Sequence, residues 1–283
     1  MTSYWIGVGN VPPHLQRIEL PAPIDVLGLP VRPLDMAGLV AAVVSRAKAG
    51  LRTTGMYANA HTVNLACADE RFRRTLRECE LLYADGASVV WASRCDSESK
   101  SGLPQRMTAA DYFPIMVRAC AEQDVSIFML GNRPGVCDAA RELLLRCYPS
   151  LRIVGTHHGH FDLSESTEVI KKINAVKPDI LFVGMSSPRQ EFWLAEHKSR
   201  INAPVRWCVG ALFDYIAGLE PRAPAWLCEH GGEWVYRLLA DPRGKWKRYL
   251  IGNPLFVYHT LRWRFLGSPA RVIETARADA ALA

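Results

Sequence analysis

Short apolar runs alternate with segments of helical periodicity through most of the chain. Each run is only a few residues long and ends at glycine or a polar residue, which is typical of strands buried on both faces. Segments between them, such as 134–148, place apolar residues three or four positions apart, as amphipathic helices do. The predicted strands are Leu81–Ala84, Val125–Leu130, Leu151–Val154, Asp179–Gly184 and Val205–Leu212. This alternation predicts an α/β fold, a Rossmann-like parallel sheet with helices on both faces.

The pattern divides the chain into three parts. Residues 1–30 are rich in proline and predict an irregular N-terminal arm that leads to a first strand near Ile24–Leu27. Residues 31–220 form the predicted Rossmann-like domain, and residues 221–283 form a small helical appendage. One predicted helix of the domain carries an apolar face made of Leu65, Ala66, Phe72, Leu76 and Cys79.

The C-terminal appendage differs from the rest of the chain in its charge. The formal net charge is +6, and residues 236–265 hold seven Lys and Arg against one acid, Asp241. Aromatic residues stand among these cations, and Pro242 and Pro254 predict two or three short helices broken at the prolines. Such a patch requires an anionic partner, which is a membrane surface, a pyrophosphate or nucleic acid. The interleaved proline, tryptophan and leucine favour a surface that lies at a membrane interface.

Composition is typical of a compact globular protein from a reducing compartment. Of the 283 residues, 49% are apolar and 22% are charged. The eight cysteines include no C-x-x-C pair, so we expect reduced core thiols and neither a disulfide framework nor a zinc site. The N-terminal segment lacks a signal-peptide pattern, and no run reaches the roughly 18 apolar residues that span a bilayer. We therefore expect a cytoplasmic protein that would meet a membrane only at its surface.

Polar residues and glycines follow several predicted strands at the point where each strand ends. Asp85-Gly86 and Gly131-Asn132 each follow a buried strand, and Met185–Gln190 follows a third. In parallel sheets, ligands bind beyond the carboxyl ends of the strands. We therefore expect these segments to share one substrate-binding rim.

Some polar positions near this rim have both a structural and a functional interpretation. Asp85 is suited to act as a general base towards a sugar hydroxyl, although the spacing alone slightly favours a simple Asp-Gly turn. Asn59 is either a loop-capping amide or a ligand-binding group. Arg106 and Asp111 fit a salt-bridged helix start better than a site for a charged substrate.

The segment Ser187–Gln190 has the residue order of a helix capping box. Ser187 would be the N-cap, Pro188 the first helical residue and Gln190 the third. Such a helix start also directs free N–H groups and the positive end of the helix dipole at the rim, which suits a diphosphate. The two interpretations are compatible.

Several common cofactor and metal motifs are missing or incomplete. The three histidines within residues 157–160 cannot all reach one ion without strain, and the chain contains no Asp-x-Asp. Gly7-Val8-Gly9 lacks the context of a dinucleotide fingerprint, and no P-loop or G-x-S-x-G motif occurs. We therefore predict no cofactor and no metal, with cationic side chains and backbone amides neutralising a leaving diphosphate.

A series of short motifs follows a characteristic order between about residues 30 and 265. Its members are Asn59, Tyr83-Ala84-Asp85-Gly86, Arg106-Met107-Thr108, Phe128–Gly131, Pro134–Val136, Gly159–Phe161, Pro178–Gly184, Ser187–Glu191, Val209–Asp214, Ala217-Gly218, Arg222–Pro224, Glu233–Leu238, Asp241–Arg243 and Arg248-Tyr249. Together they resemble glycosyltransferase family 26, the N-acetylmannosaminyl and N-acetylmannosaminuronyl transferases of wall teichoic acid and enterobacterial common antigen synthesis, with exopolysaccharide glucosyltransferase relatives.

The resemblance implies an inverting, metal-independent hexosyltransferase of surface polysaccharide synthesis. Its donor would be a UDP-sugar carrying ManNAc, ManNAcA, glucose or a similar sugar, and its acceptor an undecaprenyl-diphosphate-linked saccharide. It would lie on the inner face of the bacterial plasma membrane, against anionic lipid and without nucleic acid; homo-oligomerisation is left open.

The resemblance also assigns roles to individual residues. It implies that Asp85 is the catalytic base. The implied substrate-binding residues are Asn59, Arg106, Gly131, Asn132, Gln190 and Glu191. The implied contacts to lipid or diphosphate are Arg222, Arg237, Arg243 and Arg248.

The chain departs from the family pattern at three rim positions. Ala109 replaces the glycine of Arg-x-Thr-Gly-x-Asp, His160 replaces the tyrosine of Gly-Tyr-Phe, and Ser186 replaces the second glycine of Gly-x-Gly-x-Pro. These changes bear on the identity of the donor and leave the reaction class intact.

Two other classes of function compete with this one. A nucleotide-binding oxidoreductase or epimerase would use a similar sheet, but the glycine fingerprint it requires is missing. A basic nucleic-acid-binding module would use residues 236–265, whose clustered aromatics fit a membrane interface better.

Overall fold

The computed structural model describes residues 19–95, 102–229 and 231–266. Its central sheet has six parallel strands: β3 Thr53–Ala58, β4 Leu81–Ala84, β5 Ile127–Gly131, β6 Ile153–His157, β7 Ile180–Gly184 and β8 Val205–Cys208. They pair in the order β4-β3-β8-β7-β5-β6. All residues of these strands are buried except in β6, an edge strand. The predicted α/β fold with a parallel sheet is confirmed.

Helices flank the sheet in two layers. Their bounds are α1 Met36–Lys48, α2 Ala60–Ala68, α3 Glu70–Arg77, α4 Ala87–Arg94, α5 Ala109–Glu122, α6 Val136–Cys147, α7 Ser166–Val176, α8 Arg189–His197 and α9 Leu212–Ile216, with a 3₁₀ turn at Leu163–Glu165. In one layer α1, α5, α9 and α6 pack in series, and in the other α2, α3 and α8 do. All eight cysteines lie within the described residues, and all are free.

A short antiparallel hairpin contacts β4 at the edge of the sheet. Its strands are β1 Ile24–Val26 and β2 Leu29–Val31. Leu27 and Gly28 form the turn with φ angles of 53° and 80°, a left-handed pair that matches the twist of a tight hairpin. The first strand is thus where the sequence predicts it, and the predicted domain boundary after residue 30 falls inside β2.

One predicted helix is two helices in the structure. The carboxylate of Asp69 accepts hydrogen bonds from the backbone N–H groups of Arg71 (2.8 Å) and Phe72 (3.2 Å), so a new helix begins after it. Cys79 lies beyond the end of α3. The prediction of a single apolar face through these residues is therefore wrong.

Four of the predicted strands have different bounds. The strand predicted at Val125–Leu130 is Ile127–Gly131, and the strand predicted at Asp179–Gly184 begins one residue later, at Ile180. The strand predicted to reach Leu212 ends at Cys208, because Gly210 turns with a φ of 59° and Leu212 begins α9. The strand predicted at Leu151–Val154 begins two residues later, at Ile153.

In its described residues, 221–229 and 231–266, the appendage contains four helices, where the sequence predicts two or three. They are α10 Ala225–Glu229, α11 Glu233–Ala240, α12 Pro242–Trp246 and α13 Gly252–Leu266, with a π turn at Lys247–Ile251. Pro242 begins a helix as predicted, but Pro254 lies inside α13 and does not break it. Pro254 is the third residue of α13, and the π turn ends at Ile251, just before this helix. Phe256 and Trp263 of α13 join the hydrophobic core, and α13 packs on α2.

Within the described residues, no helix is both long enough and apolar enough to cross a membrane.

Candidate active site

Asp85 and Asn59 lie side by side at the carboxyl ends of β4 and β3. The side-chain oxygen of Asn59 accepts a hydrogen bond from the backbone N–H of Thr62 (3.0 Å) and caps α2. Its amide nitrogen donates to Oδ2 of Asp85 (2.9 Å). Asn59 is therefore a helix cap and a contact of the candidate base at once. Burial raises the pKa of Asp85, and the hydrogen bond from Asn59 opposes this increase.

Gly86 turns the chain away from the sheet directly after Asp85. Its φ is 89°, a conformation that strongly favours glycine, and its N–H donates to the carbonyl oxygen of Met107 (2.6 Å). This turn leaves the carboxylate of Asp85 facing the rim.

Three adjoining cavities run along this rim. The first has a volume of about 390 Å³ and lies between the rim and the appendage. The second, about 120 Å³, lies above the ends of β3 and β8, and the third, about 180 Å³, above β5 and β7. Six residues line both the first and the second cavity, and we call them the junction: Asn59, His61, Asp85, Thr108, Arg237 and Arg248. Ser186 lines both the second and the third cavity.

The first cavity has a charged wall and an aromatic wall. The cationic side chains on it are Arg106, Arg237 and Arg248. The aromatic side chains on it are Trp91, Trp234, Tyr249 and Phe256. This combination suits a ligand that is anionic at one end and apolar at the other.

Ion pairs connect the domain to the appendage beside this cavity. Arg106 pairs with Asp111 at 3.1 Å and approaches Glu233 at 4.0 Å. Glu233 also pairs with Arg237, and Asp111 with Arg222. The salt bridge favoured for Arg106 and Asp111 is present, and Arg106 lines the first cavity as well.

The four appendage arginines that the resemblance assigns to lipid or diphosphate have different surroundings. Arg237 and Arg248 belong to the junction. Arg222 is half-buried and contacts Asp111 and the carbonyl oxygen of Ala110 rather than lining any of the three cavities. Arg243 is exposed on α12, also outside the cavity walls.

The predicted capping box at Ser187 does not form. The N-cap of α8 is Pro188, and no side chain caps this helix end. The hydroxyl of Ser187 instead donates to Glu191 (2.6 Å) and lies 3.1 Å from the hydroxyl of Tyr57. The Ser187 hydroxyl therefore contacts Glu191 and Tyr57, which is distant in the sequence, instead of capping the helix.

Gln190 and Glu191 lie beneath the rim. Gln190 is fully buried, and its amide nitrogen donates to Tyr57 and Glu191, both at 2.9 Å. Its oxygen accepts from the backbone N–H of Gly210 (3.1 Å). Glu191 is fully buried too, and burial raises its pKa. The amide of Gln190 is thus committed to protein partners, whereas Glu191 accepts hydrogen bonds at Oε1, and its Oε2 has no hydrogen-bond partner among the described residues.

Asn132 lines the third cavity, and Gly131, the last residue of β5, precedes it without lining any of the three cavities. A Cβ at Gly131 would clash with the backbone of Gly184, so a side chain there would separate β5 from β7. The backbone N–H of Asn132 donates to the carbonyl oxygen of Gly184 (3.0 Å). The other walls carry two cations and a carboxylate, Arg133, Arg189 and Asp214. Burial raises the pKa of Asp214.

Comparison with known proteins identifies the family of this chain. The model of the glycosyl transferase WecG/TagA/CpsF family matches residues 24–269. The chain belongs to this family. The resemblance found in the ordered motifs is therefore confirmed, and the protein is a glycosyltransferase.

Its relatives include proteins of Staphylococcus aureus strains NCTC 8325, COL and MRSA252. Each is named N-acetylglucosaminyldiphosphoundecaprenol N-acetyl-beta-D-mannosaminyltransferase. Each is 32% identical over 203 residues, which cover 71% of this chain and 76% of the relative.

The three histidines at 157–160 of this glycosyltransferase do not form one cluster. The rings of His157 and His158 lie 4.6 Å apart, and Nδ1 of His157 hydrogen-bonds the carbonyl oxygen of His158 (2.8 Å). His160 lines the third cavity. In the described part of the chain, no group of three His, Cys, Asp or Glu side chains is arranged to hold a metal ion.

Sequence reasoning missed several residues that line the transferase site. Among them are His61 and Glu233 in the first cavity, Tyr57 and Tyr215 in the second, and Asp214 in the third. A signal existed for His61, which stands on the first turn of a helix directly after a rim segment. Glu233 and Asp214 stand within motifs of the family pattern.

Proposed function

We propose that this glycosyltransferase moves a sugar from a UDP-sugar to the saccharide of a polyprenyl-diphosphate-linked acceptor, by one displacement with inversion and without a divalent metal. The observation that carries the proposal is the position of Asp85. Its carboxylate lies where two cavities meet, so one substrate can approach it from each side.

The first cavity fits the acceptor. A lipid-linked saccharide has a polar sugar, an anionic diphosphate and an apolar chain. The sugar would lie at Asp85, the diphosphate against Arg106, and the start of the prenyl chain along Trp91 and Phe256, which contact each other with ring centres 6.4 Å apart. The relatives act on N-acetylglucosaminyldiphosphoundecaprenol, which has this chemistry and is the first acceptor to test.

The second and third cavities together fit the nucleotide-sugar donor. They are continuous through Ser186 and lie beyond the carboxyl ends of the central strands, where parallel sheets bind nucleotides. The nucleoside would occupy the third cavity. The donor's sugar and diphosphate would then extend through the second cavity to the junction, where Arg237 and Arg248 can neutralise the leaving group.

This arrangement supplies what a single displacement requires. Asp85 takes the proton from the acceptor hydroxyl, whose oxygen forms a bond to the anomeric carbon of the donor. The bond from that carbon to the phosphate oxygen breaks, and its electrons leave with UDP. Because burial raises the pKa of Asp85, its carboxylate is a stronger base than an exposed one.

Gln190 and Glu191 serve this reaction as positioning residues. Gln190 holds the backbone at Gly210 and the hydroxyl of Tyr57, both of which line the second cavity. Glu191 holds Ser187, another lining residue. We assign them the shape of the donor site rather than direct contact with the donor.

The appendage fits a membrane surface. Its exposed apolar side chains lie among basic residues and include Trp226, Leu239, Leu250, Ile251, Phe265 and Leu266. Exposed apolar groups of this size beside cations are typical of helices that lie in the headgroup region of anionic lipid. The first cavity borders this surface, so an acceptor could enter it while its prenyl chain stays in the bilayer.

The test is transfer by the purified full chain. The acceptor is N-acetylglucosaminyl-diphosphoundecaprenol in phosphatidylglycerol vesicles, and the donors are UDP-ManNAc, UDP-ManNAcA and UDP-glucose. We expect one donor to give a lipid-linked disaccharide with inverted anomeric configuration. Retained configuration, or release of UDP without a lipid product from every donor, would rule the proposal out.

A further inference from the structure

His61 is a junction residue with no role in the proposal above. It lies on the first turn of α2, half-buried, and lines both the first and the second cavity. Within residues 19–95, 102–229 and 231–266, no hydrogen-bond partner of its imidazole is found. Its ring nitrogens are therefore available to a ligand.

The surroundings of His61 keep its ring neutral. Burial lowers its pKa to about 4, and the positive charge of Arg248 contributes to the decrease. A neutral imidazole has one N–H donor and one acceptor nitrogen. The charged and titratable groups that line the first cavity with it, from each element around it, are Asp85, Arg106, Cys228, Glu233, Arg237, Arg248 and Tyr249.

A neutral donor has an advantage at this position. Arg237 and Arg248 already lower the pKa of Asp85. A third cation would lower it further and weaken the base. A neutral N–H can stabilise developing negative charge without this effect.

We propose that His61 is a further catalytic residue, which donates a hydrogen bond to the phosphate oxygen that gains negative charge as UDP leaves. The proton stays on the imidazole, so the step described above keeps its balance of atoms and charge. His61 complements Arg248 in this role: the guanidinium supplies charge and the imidazole supplies a directed donor. The inference rests on the proposed function.

Three variants separate this role from a structural one. His61→Ala removes the donor, His61→Phe keeps a ring without it, and His61→Gln keeps an N–H at similar reach. Because loss of a donor to a developing anion costs transition-state stabilisation, we expect kcat to fall about 10- to 100-fold in His61→Ala and His61→Phe. KM for the lipid acceptor should stay near the wild-type value. His61→Gln should retain kcat to within about five-fold and the wild-type pH profile, because neither side chain is charged at working pH.

His259 provides the matched control. It is also half-buried, burial lowers its pKa, and Arg262 and Arg73 lie near it, but it lines none of the three cavities. His259→Ala should transfer sugar at the wild-type rate. UDP binding by each variant verifies that its donor site is intact.

Wild-type kcat in folded His61→Ala or His61→Phe would overturn the inference, and so would a loss in His61→Gln as large as in His61→Ala. An inactive wild-type enzyme with every UDP-sugar would instead overturn the proposed function, so the two failures are distinguishable.

Discussion

The amide nitrogen of Asn59 donates a 2.9 Å hydrogen bond to Oδ2 of Asp85. The bond connects the ends of two adjacent parallel strands, and the other end of the same amide caps α2. One side chain therefore couples the start of a helix to the ionisation of the candidate base.

Replacing Asn59 should separate these two effects. In Asn59→Ala, loss of the cap should lower the free energy of unfolding by about 1 kcal/mol. Loss of the hydrogen bond should raise the pKa of Asp85, because that bond favours the ionised form. Since the base must be ionised, the acid limb of kcat/KM should move to higher pH. In Asn59→Ser, which keeps a capping oxygen, the acid limb of kcat/KM should move while most of the stability is retained. If the limb stays in place in both variants, Asn59 does not influence the pKa of Asp85.

Glu191 should make the stability of the protein depend on pH. Burial raises its pKa in the folded state above the unfolded value. The stabilisation that Glu191 contributes to the folded state is therefore fully present below the pKa that it has in the unfolded chain. This stabilisation is lost as pH rises through the pKa that it has in the folded protein. Glu191→Gln removes this titration. Buried carboxyl groups titrate roughly between pH 4 and pH 8. Over this range, urea unfolding should show a larger decrease in the free energy of unfolding for the wild-type protein than for the variant. Parallel stability curves for the two proteins would contradict this.

Exposed apolar side chains of the appendage should control vesicle binding. Leu239 and Phe265 are 75% and 74% exposed. The double variant Leu239→Ser and Phe265→Ser should weaken binding to phosphatidylglycerol vesicles by about 10-fold or more. Each lost apolar side chain removes about 1 kcal/mol or more of the binding free energy that comes from burying it in the membrane. High salt should release the wild-type protein.

The matched control changes Leu163 and Val176, which are exposed at the two ends of the segment formed by the 3₁₀ turn and α7. Substituting serine at both should leave vesicle binding unchanged. Equal loss in the two double variants would show that the appendage has no special part in it.

Transfer should not require a divalent cation. The junction holds two arginines, one amide, one hydroxyl and one imidazole around a single carboxylate, Asp85, which favours neutralisation by arginine over metal coordination. The initial rate in excess EDTA should equal the untreated rate. Loss of activity on chelation and its recovery with Mg²⁺ or Mn²⁺ would refute this prediction.

Local sequence patterns predicted the sheet and its rim because neighbouring residues determine where each strand ends. A buried run that ends in Asp85-Gly86 reports the end of a strand by its own composition, and parallel pairing then places Asn59 beside it. The same reasoning failed at Ser187, whose hydroxyl is taken by Tyr57 and Glu191. It also failed at Pro254, which lies inside α13 just after a π turn.

The junction could not be predicted from spacing alone. His61 becomes a wall residue only because the appendage brings Arg248 against the first turn of α2. That contact joins parts of the chain far apart in sequence, and neither residue carries a local pattern that encodes it. The family motifs marked the position of Arg248 but did not indicate that it lies beside His61.

The most direct test of the central claim is the turnover of Asp85→Asn with lipid-linked acceptor and the preferred UDP-sugar. The substitution keeps the shape and the contact with Asn59 possible but removes the base. UDP affinity should be unchanged, and kcat should fall by about 100-fold or more, the usual scale for loss of general base catalysis. Asp124→Asn, at an exposed acid that pairs with Arg152, should retain full activity. Near-wild-type turnover by folded Asp85→Asn would contradict the account.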